Sequence, residues 1–138
     1  MSRWSRGIAL VLMFIGLFTA PSAWACRCAN ALAPNVAYKR AHAVVLGSVV
    51  LLEPTPHRAR GSRATVVVSK FWKKSVPKRL LVETGDLCHF RWQKGERYLL
   101  YLHQERGREY LTTRCMGNLL EKDAATALAW LSVNGEEL

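Results

Sequence analysis

Ala43-Val44-Val45-Leu46-Gly47-Ser48-Val49-Val50-Leu51-Leu52 is a largely aliphatic run with four β-branched valines, interrupted by one glycine. Such a run reads as a β-strand, and Gly47 within it marks a bulge or a sharp bend. Working outward, Pro54, Pro56 and the basic stretch His57 to Arg63 read as a loop. Thr65 to Trp72 reads as a second strand, and Leu80 to Thr84 as a third. Gly85-Asp86 is a turn that delivers Cys88. Gly95 precedes a fourth strand at Tyr98 to Leu102, and the turn Glu105 to Arg108 leads into a fifth, Tyr110 to Thr113. Asp123 is placed to cap a final helix in which Ala124, Ala127, Leu128 and Leu131 share one face, and Asn134-Gly135 would end it. Five short strands and one terminal helix predict a mostly β fold, a five-stranded Greek-key barrel of the OB type with a C-terminal helix.

The chain has 138 residues, enough for one domain plus a targeting segment. Residues 1–25 have the layout of a signal peptide. Arg3 and Arg6 form a positive start, Ile8 to Phe18 an apolar core, and Ala23-Trp24-Ala25 a cleavage site. Cleavage after Ala25 would make Cys26 the first residue of a domain spanning 26–138. The expected location is therefore secreted or periplasmic, with a lipid anchor if Cys26 is acylated. Trp24 and Ala23 fit a lipoprotein signal poorly. No apolar run reaches the ~20 residues that span a bilayer, so no transmembrane segment is expected in the mature chain. Without Arg3 and Arg6 the domain keeps 18 basic and 10 acidic residues, a net charge of +8. In an export compartment that charge suits an anionic envelope polymer rather than nucleic acid.

Cys26, Cys28, Cys88 and Cys115 all fall in the expected mature domain. In an oxidising compartment they would form two disulfides. Of the three possible pairings, the one joining Cys26 to Cys28 is too tight to be comfortable; the other two both tie the N-terminus to distant segments. A zinc site built from Cys26, Cys28, Cys88, His89 and Cys115 is the rival reading, but the spacing lacks a Cys-x-x-Cys knuckle.

The chain contains no metalloprotease helix motif, nucleophile elbow, phosphate loop or dinucleotide fingerprint. The expectation is a binding protein without a cofactor, not an enzyme. Phe71, Trp72, Lys73, Lys74, Arg91 and Trp92 could form a base-stacking patch, but the simpler reading puts those aromatics in the core. Arg58, Arg60, Arg63, Lys73, Lys74 and Lys78 are the candidate basic patch for an anionic polymer or a partner protein.

Four segments carry a resemblance to a known family. They are Cys26-Arg27-Cys28, the strand Ala41 to Val49, Gly95-Glu96-Arg97-Tyr98-Leu99-Leu100-Tyr101, and Leu111-Thr112-Thr113-Arg114-Cys115 followed by Gly117-Asn118. In this order they resemble the netrin-like modules, and within them the tissue inhibitors of metalloproteinases and their short bacterial relatives. The resemblance implies an OB-type barrel with flanking helices and the bridges Cys26–Cys88 and Cys28–Cys115. It also implies inhibition of a zinc metalloprotease by a ridge of Cys26, Arg27, Cys28, Asp86 and Leu87. There the backbone nitrogen and oxygen of Cys26 would bind the partner protease's catalytic zinc. Arg27 stands where inhibitory members carry a small or β-branched side chain directed into the S1′ pocket, and the further cysteines of the animal members are absent.

Overall fold

The computed structural model describes residues 26–28, 32–55, 61–85, 88–105 and 109–136. The expected signal peptide, residues 1–25, lies outside them. The expected glycine-marked strand is β1 (Ala43–Pro54), followed by β2 (Ser62–Trp72), β3 (Arg79–Thr84), β4 (Arg97–Gln104), β5 (Tyr110–Thr112) and a two-residue β6 (Leu119–Leu120). Strand β1 pairs with β2 along one edge and with β4 along the other, both antiparallel. Pairings β2–β3, β3–β5 and β4–β5 complete a closed five-stranded barrel, in which only β3–β5 is parallel. The OB-type topology expected from the strand pattern is the one observed. Strand β6 was not anticipated; it is two residues long and pairs with β4 beyond the end of β5.

Periodicity explains which strands read as continuous apolar runs. Ala43, Val45 and Val49 of β1 point into the barrel with Ala64, Val66 and Val82. Val44 and Leu46 point outward into a second core with Leu99, Tyr101, Ala127 and Leu131. The first half of β1 and most of β4 are thus buried on both faces, and neither needs a polar alternation.

Gly47 does mark a bulge, but the extra residue is on the partner strand. Leu46 pairs with Lys70 and Gly47 with Val68, so Ser69 of β2 is left over. Its hydroxyl donates to the Leu46 carbonyl at 3.0 Å. The extra residue reverses the alternation of β2. Val66 and Val68 face the barrel interior, whereas Trp72, which would otherwise follow them inward, lies in the outer core. A Cβ at Gly47 would sit 2.6 Å from Val66 Cγ1 and 2.7 Å from the Val67 carbonyl oxygen, so only glycine lets β2 cross this closely.

Two helices close the outer core. Helix α1 (Pro34–Arg40) starts with proline in its first turn and buries Ala37; the strand-and-turn reading did not place it. Helix α2 (Ala125–Asn134) buries Ala127 and Leu131, as expected. Asp123 does not cap it: Asp123 ends a single 3-10 turn, Glu121–Asp123, and Ala124 holds the cap position with its N–H on the Glu121 carbonyl. The helix ends at Asn134, with Gly135 extended rather than left-handed.

The tyrosine hydroxyl of Tyr101 and the indole nitrogen of Trp72 are buried in the outer core with no hydrogen-bond partner among the described residues. Burial alone pushes the Tyr101 phenol up to about 12. Tyr101→Phe is expected to stabilise the fold by about 1 kcal/mol, since an unpaired buried hydroxyl loses its hydration without compensation. Gly47→Ala is expected to cost about 1–3 kcal/mol, because the clash includes the Val67 backbone. Urea denaturation of both variants checks the two signs together.

Candidate functional site

In an extended chain, residues i and i+2 share a face and the one between them points away. Cys26-Arg27-Cys28 follows that rule: both cysteines are half-buried against the domain and Arg27 is exposed. Cys26 is bridged to Cys88 with a Cα–Cα distance of 5.5 Å, and Cys28 to Cys115 with 5.1 Å. This is the pairing that the resemblance implied. Among the described residues no backbone hydrogen bond holds 26–28, so the two bridges are what dock the segment.

The anchors on the barrel side are built from local chemistry. Thr113 accepts a hydrogen bond from the Cys115 N–H, opening a single 3-10 turn over Arg114–Met116. Gly117 ends that turn at φ 93°, a left-handed conformation that favours glycine. Asn118 then turns back onto β4, where its Oδ1 accepts from the Tyr101 N–H at 2.8 Å. Its Nδ2 donates to Thr112 Oγ1 at 2.6 Å and to the Thr113 carbonyl at 3.0 Å. The Thr112 hydroxyl in turn donates to the Tyr101 carbonyl. These side chains satisfy β4 in the gap between β5 and β6, and they fix the loop that carries Cys115. The Arg114 N–H donates to the Cys88 carbonyl at 2.8 Å, which sets the second anchor beside the first. Asn118 and Thr112 stood in segments that carried the resemblance, but only the fold shows what they do. A Gly-Asn pair closely following a cysteine was the available signal.

Asp86 and Leu87, the expected second edge of the ridge, lie outside the described residues, as do Arg58 and Arg60 of the basic set. Of the other four basic residues, Arg63 and Lys73 stand at opposite ends of β2. Arg63 belongs to β2 rather than to the preceding loop, and its guanidinium contacts Glu83 at 2.8 Å and Glu109 at 3.2 Å. Lys73, just past the opposite end of β2, donates to the carbonyls of Tyr38, Lys39 and Ala41 at 2.8, 3.1 and 2.6 Å. It thereby caps α1, with a backbone φ of 70°. Lys74 donates to Gln104 Oε1, and Lys78 is exposed. Trp72 and Trp92 are buried, so neither offers a stacking face to a base. Cys88 and Cys115 are both bridged, and His89 is half-buried beside the first bridge.

His42, just before β1, and His103 of β4 have ring centroids 4.2 Å apart. The Gln104 N–H donates to His42 Nδ1 at 3.0 Å, which requires that nitrogen to be unprotonated. Desolvation first, then the charges of His103, Lys73 and Lys74, hold the His42 imidazole below its ordinary value. A histidine depressed in the fold stabilises it above the unfolded value of about 6.5 and loses that contribution as pH falls below it. Stability is expected to decline as pH falls through and below about 6.5, with part of that slope absent in His42→Ala. Denaturation midpoints across the range test this, and an unchanged slope in the variant would refute it. No protein-family model matches this chain, and no curated protein matches it.

Proposed function

We propose that this protein is an exported, non-enzymatic inhibitor of a zinc metalloprotease, acting through a terminus at Cys26. The observation that carries the reading is the Cys26-Arg27-Cys28 segment, pinned by two neighbouring bridges with its middle side chain turned to solvent. A free α-amino nitrogen and the carbonyl oxygen of one residue can close a five-membered chelate ring on a metal ion. On a protease's catalytic zinc, that ring displaces the water the metal would activate. The α-amino group has a reference value near ~8, so its deprotonation costs little at neutral pH. Two bridges also remove the freedom the terminus would otherwise lose on docking. Arg27 would enter the S1′ pocket, where an apolar wall would strip its hydration without offering a partner. The reading therefore requires a target whose S1′ pocket carries a carboxylate. It also requires cleavage of residues 1–25 without acylation of Cys26, since an amide there removes the chelating nitrogen.

A second reading keeps the fold and makes the domain a non-inhibitory envelope or cell-surface module for a protein or an anionic polymer. The net charge of +8 favours it, although Arg63 and Lys73 are already engaged within the fold. The two readings differ in their controlling variable. Polymer binding weakens steeply with salt and ignores the terminal amine, whereas chelation depends on the amine.

The test compares the chain beginning at Cys26, the same chain with one extra residue before Cys26, and Arg27→Thr against zinc proteases with apolar or acidic S1′ pockets. The extension is expected to abolish inhibition. Arg27→Thr is expected to improve inhibition of apolar-pocket enzymes by at least about tenfold, or ~1.4 kcal/mol. Inhibition that survives the extension, or none by either Cys26-initiated chain, would overturn the reading.

A further inference from the structure

We propose that the four cysteines, when reduced, form a tetrathiolate site for a divalent ion of zinc's class. The Sγ atoms of Cys26, Cys28 and Cys115 lie within 4.8 Å of one another, and Cys88 is bonded to the first of them. Cys26 and Cys115 belong to different bridges, yet their sulfurs are 3.9 Å apart. Zinc holds thiolates at about 2.3 Å in a tetrahedron, which makes each sulfur–sulfur edge about 3.8 Å. The Cys26–Cys115 separation is therefore already that of a tetrahedral edge. On reduction the two bonded pairs open by about 2 Å each, and the Cys88 sulfur, which lies outside the group of three and is joined to it only through Cys26, closes onto the ion as the fourth ligand.

Spacing along the chain conceals this site, because Cys-x-Cys is not a zinc knuckle. The tetrahedron is assembled instead by the Arg114–Cys88 backbone hydrogen bond, which sets two loops side by side under the terminal segment. All four cysteines are half-buried, which leaves an ion a path in. The chemistry balances with an external dithiol as reductant. Each bridge takes two electrons and two protons from a dithiol, which leaves as its cyclic disulfide, and the ion then displaces four protons from four thiols. Two equivalents of a disulfide, each taking two electrons and leaving as its thiols, remake both bridges and expel the ion. In the reduced chain the metal would do what the bridges do in the oxidised one: hold 26–28, which has no backbone hydrogen bond among the described residues, against the barrel. This inference is independent of the inhibitor reading.

The experiment uses the purified protein, reduced with a phosphine under anaerobic conditions, and titrates it with cobalt(II). One cobalt per chain is expected, with the intense visible bands of a tetrahedral thiolate site, displaced by zinc. Near-ultraviolet circular dichroism is expected to return to that of the oxidised barrel as metal is added. Each of Cys26→Ser, Cys28→Ser, Cys88→Ser and Cys115→Ser is expected to weaken binding at least about 100-fold, whereas His89→Ala leaves it unchanged. Absence of tetrahedral bands overturns the proposal. So does cobalt binding without recovery of the barrel's spectrum, which would mean capture by an open chain. A loss in His89→Ala as large as in the serine variants overturns it too.

Discussion

Strand β1 is hydrogen-bonded along both edges and, over its first half, buried on both faces, and the rest of the molecule is arranged around that fact. A strand flanked by β2 and β4 closes the sheet, and closure removes the exposed edges a five-stranded sheet would otherwise present. Closing so tight a barrel requires β2 to cross β1 at van der Waals distance. Gly47 permits the crossing, and the extra residue at Ser69 absorbs the mismatch. Because a one-residue offset reverses every side chain beyond it, Trp72 is delivered to the outside of the barrel. There it needs a cover, which α1 and α2 supply.

The same economy of edges shapes the end of the barrel where the cysteines gather. Strand β4 gives one whole edge to β1 and divides the other between β5 and β6. The Tyr101 peptide group falls between them and is satisfied by Asn118 and Thr112 instead of by a strand. The loop from Thr113 to Asn118 is thereby held at both ends, so Cys115 stands at a defined point next to Cys88. Two disulfides then transfer that rigidity to a three-residue segment that has no backbone hydrogen bond among the described residues.

Charge has a different logic. The sequence total of +10 describes long-range attraction but not where the cations are used. Arg63 lies in a cross-strand row with Glu53 and Glu83, and Lys73 is drawn into the carbonyl end of α1. Arg27, by contrast, is exposed on the pinned segment, with no ion pair among the described residues. Under the proposed inhibitor reading, that exposed cation is the side chain on which the choice of partner would turn.

Alternation, turn residues and the apolar face of α2 are properties of neighbouring residues, and they were legible along the chain. All five barrel strands, the terminal helix and the glycine irregularity in β1 could be located from them. Helix α1 was not legible, because seven residues with one fully buried side chain make no periodic signal. Nor was the side of the sheet on which Trp72 lies, since a bulge belongs to a pair of strands and Ser69 gives no sign of it alone. The choice between the two spacious cysteine pairings, which spacing left open and the family resemblance alone anticipated, and the task of Lys73 at the end of α1 are likewise settled by tertiary contact. Those contacts join residues from 32 to 87 positions apart. Local patterns state what each segment becomes. Which sulfur meets which, and which cation is left over, depend on distances that exist only after the barrel has closed.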